Sequence, residues 1–281
     1  MLIAALRGWN DGGQGASLAG AYLARAWAGA RFADIDPEGF FDFQATRPTV
    51  SLVDGFTRQI DWPENAFFHA PLPGAGRDCI LLLGVEPNLR WRTFAGLVTG
   101  LAGEFGVELV ITLGSLLADV PHTRPSPITG SATDPELIDR LGLTASRYEG
   151  PTGMVGVLHD SCSRAGIASA SLWAAVPHYV SLTPSPRAAK ALVDRLAELL
   201  EADIDTAELD EAAEAYSRQV SQAVATDTET ASYVEELERR TDDAVDDDDV
   251  PSGESIAAEL SKYLLERENG EDGGTDAAQD G

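Results

Sequence analysis

The chain has 281 residues, of which 44% are hydrophobic, and its 20 basic residues against 46 acidic ones give a net charge of −26. A chain of this length folds as one large domain or two modest ones. A charge this negative argues against binding to the phosphates of nucleic acid or to an anionic membrane surface. The charge is uneven, because residues 1–200 carry a net charge of −5 and residues 201–281 one of −21.

The cysteine content and the apolar runs favour the cytoplasm. Cys79 and Cys162 are too few for the disulfide framework of a small secreted domain, which favours a reducing compartment. The apolar start at residues 1–6 has no basic segment before it, and no run approaches the roughly 20 apolar residues that span a bilayer. We therefore expect a cytoplasmic protein that does not insert into a membrane.

Two stretches of the chain have the order strand, glycine-containing loop and helix, and a third begins in the same way. Each opens with an apolar run without helical spacing, and the first two continue through a loop into an amphipathic helix. The strands of the three units are residues 2–6, 79–83 and 109–113. Repeated βα units predict a mostly parallel sheet covered by helices, an α/β fold.

The segments between these units are less regular. Residues 34–61 mix acids, aromatic residues and short apolar runs, which predicts short strands at an edge of the sheet. Asp134 and Pro135 predict the start of a short helix, and Gly142 predicts its end.

The core is expected to end with two strands and one strong helix. The stretches 155–158 and 167–173 predict further strands on either side of a short helix. An amphipathic helix begins at Ser185 and keeps apolar residues at helical spacing as far as Leu200. We expect the α/β core domain to span residues 1–202.

Four segments follow the core in the predicted domain order. Residues 203–241 predict a charged helical extension that projects as a helix pair, and residues 242–251 an acidic linker. Residues 252–268 predict an amphipathic tail helix that docks on its own core, on a neighbouring subunit or on another protein, and residues 269–281 a disordered end. The apolar stripe of the docking helix is Ile256, Leu260, Tyr263 and Leu264.

Residues that could bind a ligand follow the strands, in loops that a parallel sheet gathers at one edge. Two of these loops repeat Val-Pro-His, ending at His122 and His178, and their prolines stiffen them. We therefore predict that the two histidines lie near one another across a single crevice. The alternative is that these residues only shape the loops. The candidate ligand residues are Asn10, Asp11, Glu86, Asn88, His122, Arg124 and His178.

The glycine-rich loop at residues 8–13 departs from the known nucleotide motifs. Gln14 stands where a P-loop has Lys, and Leu18 where a dinucleotide fold has its third glycine. The amides of the next helix either bind an anion, with Arg124 as counter-charge, or belong to an ordinary βα turn. No Cys or His motif has the spacing of metal ligands, so we expect no metal and no cofactor.

Several longer motifs stand in order along the first 200 residues. They are Gly8-Trp9-Asn10-Asp11, Asp34-Ile35-Asp36-Pro37, Phe40-Phe41-Asp42-Phe43, Glu86-Pro87-Asn88-Leu89-Arg90-Trp91, Asp119-Val120-Pro121-His122-Thr123-Arg124-Pro125, Tyr148-Glu149-Gly150-Pro151-Thr152-Gly153 and Val176-Pro177-His178-Tyr179. In this order they resemble the PAC2 family, the proteasome assembly chaperone 2 superfamily, in its actinobacterial form.

The resemblance implies a three-layer α/β/α sandwich, nucleoside-phosphorylase-like in shape, and assembly into homo-oligomers, often trimers. It implies no established enzyme activity, although labels for such proteins include ATP-grasp or carboxylate-amine ligase. ATP-grasp folds ordinarily hold ATP phosphates with lysine, whereas Lys190 and Lys262, the two lysines of this chain, lie outside the crevice loops. Family members that dock on the proteasome end in a hydrophobic-Tyr-any tripeptide, which the Gln279-Asp280-Gly281 end does not match.

Two functions from different classes follow. The first is a non-catalytic homo-oligomeric scaffold or assembly-chaperone-like factor with a possible protein partner, which the resemblance and the tail helix favour. The second is a small-molecule enzyme or sensor that binds an anionic metabolite in the crevice at the carboxyl ends of the strands.

Overall fold

The structure, a computed structural model, describes residues 1–246 except 73–76, 133, 146–147 and 181–183. Its strands are β1 (Leu2–Arg7), β2 (Ala30–Ile35), β3 (Thr49–Val53), β4 (Thr57–Asp61), β5 (Asn65–Leu72), β6 (Arg77–Val85), β7 (Leu109–Ala118), β8 (Ile128–Ala132), β9 (Thr144–Ala145) and β10 (Ala168–Pro177). Its α-helices are α1 (Gly15–Ala26), α2 (Trp91–Glu104), α3 (Pro135–Leu141), α4 (Met154–Ala165), α5 (Pro186–Leu200), α6 (Ala207–Val224) and α7 (Thr228–Asp246).

Within the described residues, eight strands form one sheet in the order β2-β5-β6-β1-β7-β10-β8-β9. The central strands β6, β1, β7 and β10 run parallel to one another. Strands β5 and β2 extend the sheet antiparallel on one side, and β8 pairs antiparallel with β10 on the other. The mostly parallel sheet predicted from the βα repeats is therefore confirmed, with antiparallel strands added at its edges.

Helices cover both faces of this sheet and form a three-layer α/β/α sandwich, as the resemblance implied. Successive residues of a strand point to opposite faces. Ile3 accordingly packs in the core beneath α1 and α5, which includes Leu192. Its neighbour Leu2 packs in the core beneath α2 and α4, which includes Phe94 and Leu158.

Two predicted helix starts are confirmed by their capping bonds. The Asp134 carboxylate accepts a hydrogen bond of 2.9 Å from the Glu136 N–H at the start of α3, and Gly142 ends that helix with a φ of 57°. The Ser185 hydroxyl accepts a bond from the Ala188 N–H at the start of α5. Both side chains satisfy amides that the first helical turn leaves without a partner.

The strand predicted at residues 155–158 is wrong, because these residues belong to α4. The buried positions of this helix are Met154, Leu158 and Cys162, which recur every four residues. A run of four residues cannot distinguish that spacing from a buried strand. The strand predicted at 167–173 is present as β10.

The segment 34–61 contributes the end of the edge strand β2 and a separate hairpin of β3 and β4. The predicted edge position is therefore confirmed for β2 alone. Strands β5 and β8 have no counterpart among the predicted elements.

The C-terminal helical extension is present, but it packs on the core instead of projecting from it. Helix α6 lies against α5 and buries four side chains, Leu209, Ala213, Tyr216 and Val220. Helix α7 continues to Asp246, so residues 242–246 are helical where a linker was expected. No helix among the described residues is both long and apolar enough to cross a bilayer. The tail helix predicted at 252–268, with Ile256, Leu260, Tyr263 and Leu264, lies outside the described residues.

Candidate functional site

The loops after β1, β6, β7 and β10 meet at the carboxyl edge of the parallel strands, where the candidate residues were expected. Backbone hydrogen bonds join these loops to one another. The Ser115 N–H donates to the Asn10 carbonyl at 2.9 Å, and the His178 N–H donates to the Ala118 carbonyl at 3.2 Å. The candidate residues form groups along this edge: one small cavity is lined by Asn10 and Glu86, the C-terminal helices are contacted by His122, Arg124 and His178, and the loop before the hairpin is bound by Asn88.

Asp11 caps the first helix. Its carboxylate accepts hydrogen bonds from the Ala16 N–H at 2.9 Å, from the Ser17 N–H at 3.1 Å and from the Ser17 hydroxyl at 2.6 Å. Burial raises the pKa of this carboxyl, and the hydrogen bonds offset part of that effect. The amides at the start of α1, which could have held an anion, are already satisfied by the protein's own carboxylate.

Glu86 joins two other loops. One carboxylate oxygen accepts from the Trp9 N–H at 3.0 Å, and the other accepts from the Met154 N–H at 2.6 Å. Met154 is the first residue of α4, so the negative charge also lies at the positive end of that helix. The carboxylate therefore fixes the start of α4 against the loop after β1.

Asn88 lies apart from the other candidates and holds the loop before the hairpin. Its side-chain oxygen accepts from the Asp42 N–H and from the Thr46 hydroxyl, each at 3.0 Å. The neighbouring Leu89 N–H donates to the Phe40 carbonyl at 3.0 Å. Through these bonds Asn88 fixes the conformation of the segment that leads into β3.

Asn10 points its side-chain oxygen toward Gly153, beside a small cavity. This oxygen is buried and has no hydrogen-bond partner among the described residues. The cavity measures about 10 Å³, the lower limit of the space that can hold one water molecule, and it is far below the size of a metabolite site. Its lining is Ala4, Leu6, Asn10, Glu86, Thr112, Leu113, Met154, Val155 and Leu158.

Gly153 is expected to tolerate no side chain, because it lies against Asn10 and Glu86. A Cβ at this position would come within 2.0 Å of the Asn10 Oδ1 and 2.8 Å of the Glu86 Oε1. We predict that Gly153→Ala lowers the free energy of unfolding by about 2 to 3 kcal/mol, a typical cost of overpacking. Urea denaturation measures this change. Gly39→Ala is the control, since its Cβ meets only the guanidinium of Arg90, and an equal loss in both variants would contradict the prediction.

His122 is 2% exposed and is bonded at both ring nitrogens. Its Nδ1 lies 2.9 Å from the Tyr179 hydroxyl and its Nε2 lies 3.0 Å from the Ser221 hydroxyl on α6. The Tyr179 oxygen also accepts from the His122 backbone N–H at 2.8 Å. Both ring nitrogens of His122 are therefore bonded to hydroxyl groups of the protein itself.

That arrangement opposes a Ser-His nucleophile, although the Ser221 to His122 distance fits one. A Ser-His nucleophile also needs a group that orients and charges the base as a carboxylate does, whereas the partner of His122 Nδ1 is the neutral hydroxyl of Tyr179. Burial, reinforced by the nearby Arg187 guanidinium, lowers the pKa of His122, so the ring is neutral at pH 7. His122 therefore ties α6 to the loop after β7.

His178 helps to hold α7 against the core in a similar way. Its Nδ1 lies 2.9 Å from an Asp119 carboxylate oxygen, which also accepts from the Tyr233 hydroxyl of α7 at 2.9 Å. The rings of His122 and His178 both pack edge-on against Tyr179, with centroid distances of 5.9 and 5.8 Å. The two histidines are thus brought together, but between the core and the C-terminal helices.

Arg124 is paired within the protein. Its guanidinium donates to both carboxylate oxygens of Asp242 in α7, at 2.8 and 2.7 Å, and it also lies 3.6 Å from Glu238. Thr123 donates to the same Glu238. The cation expected to balance a bound anion therefore fastens α7 to the loop after β7.

A polar group that the sequence pattern did not indicate lies between α4 and the sheet. The His159 ring is bonded to the Ser169 hydroxyl at 2.8 Å and to the Thr112 hydroxyl at 3.0 Å. Burial lowers the pKa of His159 to about 4. The sequence did not indicate this group because residues 155–158 were interpreted as a strand. A helix over residues 154–165 with Leu158 on its buried side would have suggested that the neighbouring His159 also faces the sheet.

The comparison with family models decides the family. The model of the PAC2 family matches residues 5–224. The chain belongs to the PAC2 family. Among solved structures, it is 47% identical to a PAC2 family protein from Streptomyces avermitilis, covering 83% of this chain and 98% of that one, with a TM-score of 0.77.

Other structures extend this PAC2 comparison. The chain is 44% identical to a Mycobacterium tuberculosis proteasome-assembly chaperone homologue, covering 83% of this chain and 99% of that one, with a TM-score of 0.75. A Pyrococcus furiosus archaeal proteasome activator shares the fold at 20% identity and a TM-score of 0.63, covering 79% of this chain and 92% of that one. Among curated proteins, none matches the chain.

Proposed function

We propose that this PAC2 protein is a non-catalytic, homo-oligomeric scaffold with an assembly-chaperone-like role toward a protein partner. The proposal rests on the hydrogen bonds of the candidate residues at the carboxyl edge, which link parts of the protein to one another. Asp11 and Glu86 cap helices, Asn88 shapes a loop, and the residues after β7 and β10 fasten α6 and α7. Side chains used in this way build a fixed protein surface.

The alternative, an enzyme or sensor for an anionic metabolite, loses both of its recognition groups. The amides at the start of α1 bind Asp11, and the Arg124 guanidinium binds Asp242. The cavity beside Asn10 has space for about one water molecule. Similarity to a proteasome-assembly chaperone homologue adds support for a protein partner.

We also propose that the protein is cytoplasmic. Cys79 and Cys162 are both free and buried. Burial raises the pKa of the Cys79 thiol to about 12 and that of Cys162 to about 11, which keeps both thiols protonated and poorly reactive. Buried thiols without a partner are typical of proteins that fold under reducing conditions.

Native mass spectrometry of the protein purified from its own cells tests the proposal. It reports the number of subunits and any retained small molecule or protein at the same time. We expect a homo-oligomer, with a trimer as the resemblance implies, and a protein partner under gentle lysis. A monomer that retains one equivalent of a metabolite would overturn the scaffold and favour the enzyme or sensor.

Deletion of residues 250–281 is predicted to leave the core folded, because the buried clusters of the described residues already contain the main apolar runs of the α/β units. The midpoint of thermal unfolding should stay within about 2 °C of the full chain, measured by circular dichroism. Sedimentation velocity then shows whether the tail docks on a neighbouring subunit, since loss of that contact would weaken the oligomer. Loss of the folded core would show instead that the tail belongs to it.

A further inference from the structure

The hairpin of β3 and β4 is an amphipathic arm whose two faces are both open to solvent. All ten residues of its strands are exposed. Directly paired residues share a face, so Val50 and Ile60 lie together, beside the pair of Leu52 and Arg58. This apolar face has Arg58 as its one charge, and the opposite face is mainly Thr, Ser, Gln and Asp.

A hairpin arm of this kind has little stability of its own in water. A two-stranded hairpin is marginally stable unless its apolar face is covered. Val50, Leu52 and Ile60 are 61%, 63% and 55% exposed, and Phe56 at the tip is 91% exposed. Their exposed apolar area is on the order of 400 Å², which matches the non-polar share of the roughly 800 Å² that each partner buries in a standard interface.

The body of the same chain carries a second apolar surface, on the solvent side of α2. Leu97 is 47% exposed, and Phe105, just after the helix, is 59% exposed and packs edge-on against Phe32. Beside Leu97 the solvent side of the helix has no side chains at Gly96, Gly100 and Gly103, and a Cβ at any of these positions would meet nothing within 4 Å. A side chain from another molecule can therefore approach the helix backbone closely.

The charges of the two surfaces are complementary. The apolar face of the arm has Arg58 and no acid. Glu104 is exposed at the end of α2, and Glu108 is exposed a few residues later. Arg58 is therefore complementary to these two acids, which lie at the end of α2 opposite the exposed Arg92.

We propose that the arm of one copy packs on the α2 face of a second copy. This inference rests on the homo-oligomer of the proposed function and names its interface. The contact is head-to-tail, since two different surfaces of the chain meet, and a contact of this type closes into a ring when the rotation between copies allows it. Each copy then offers its arm to one neighbour and its α2 face to the other.

The arm is tested with a cross-strand pair of substitutions. Val50→Ser with Ile60→Ser removes the apolar pair, and we expect the dissociation constant of the oligomer to rise about 100-fold or more, since two buried side chains are lost. Val53→Ser with Thr57→Ser is the matched control, because this pair lies on the opposite face of the same hairpin. Sedimentation equilibrium over a range of concentrations measures both variants.

The α2 face is tested by adding a side chain. Gly100→Leu fills open space in the single chain and improves helix propensity, so the monomer should fold at least as well as the wild type. It prevents close approach of the arm and should weaken the oligomer by a similar factor. Ala215→Leu, at an exposed position of α6, is the control for the added leucine.

Mixing the two defective variants separates a head-to-tail contact from an arm-to-arm contact. The arm variant keeps an intact α2 face, and the Gly100→Leu variant keeps an intact arm. We expect each to be monomeric alone and the mixture to form a 1:1 heterodimer in native mass spectrometry.

The remaining outcomes are distinguishable. A wild-type oligomer that survives either substitution overturns this interface and leaves the proposed scaffold standing. Variants that are both monomeric and fail to pair on mixing overturn the head-to-tail contact. A monomeric wild type overturns both the interface and the homo-oligomeric scaffold.

Discussion

Acidification from pH 6.5 to pH 4 is expected to remove about 3 kcal/mol from the free energy of unfolding through His159 alone. The ring lies between α4 and the sheet, where the hydroxyls of Ser169 and Thr112 bond its two nitrogens. Burial of this ring lowers its pKa from 6.5 to about 4. The neutral ring fits this site, and the charged ring would lose its hydration there.

The direction of the effect follows from which state binds the proton. Between pH 6.5 and pH 4 the unfolded chain protonates His159 and the folded chain does not. Acid therefore favours the unfolded chain, and the stabilisation is fully present above pH 6.5. His122, whose pKa burial also lowers, acts in the same direction, so the contribution of His159 must be isolated with variants.

His159→Gln is the informative variant, because glutamine retains hydrogen-bonding groups and cannot take up a proton. Its free energy of unfolding, measured in urea at several pH values, should fall less steeply with acid than that of the wild type. Ser169→Ala is the matched control, since it removes one hydrogen bond of the ring and keeps the buried imidazole. It should lose stability at every pH and retain the acid dependence. Equal pH slopes in His159→Gln and the wild type would contradict the prediction.

The sheet could be predicted from the sequence because parallel strands are buried on both faces. Residues 2–6, 79–83 and 109–113 are apolar runs, interrupted only by Thr112, and each becomes a central strand. The strand at 155–158 was wrong for the same reason, since a short apolar run also fits one face of a helix. Only the four-residue spacing of Met154, Leu158 and Cys162 distinguishes the two readings.

The carboxyl-edge loops could be predicted, but the roles of their side chains could not. Topology places Asp11, Glu86 and His122 at one edge, whatever they bind. Their partners depend on how distant segments pack, as with the Ser221 hydroxyl, which reaches His122 from a helix 99 residues later. A sequence read locally shows which groups can bond and leaves open whether a ligand or the protein supplies the partner.

Asp11→Ala is expected to lower the free energy of unfolding by about 2 to 3 kcal/mol, because it removes three hydrogen bonds at the start of α1. Asp11 is 7% exposed, and its carboxylate satisfies the Ala16 and Ser17 amides and the Ser17 hydroxyl. Water cannot replace these bonds at a buried helix start without opening the packing around it.

Asp11→Asn is the matched control for this role. The amide oxygen can still accept from the Ala16 and Ser17 backbone, so the cost should be less than half that of the alanine variant. Denaturation in urea gives both values, and the oligomer should keep its subunit number wherever the chain stays folded. If Asp11 instead served to bind a ligand, Asp11→Ala would have near wild-type stability, because the cost of burying the carboxylate, which raises its pKa, would be removed with it. A loss below about 1 kcal/mol, no more than a typical single cap, would therefore contradict the structural role.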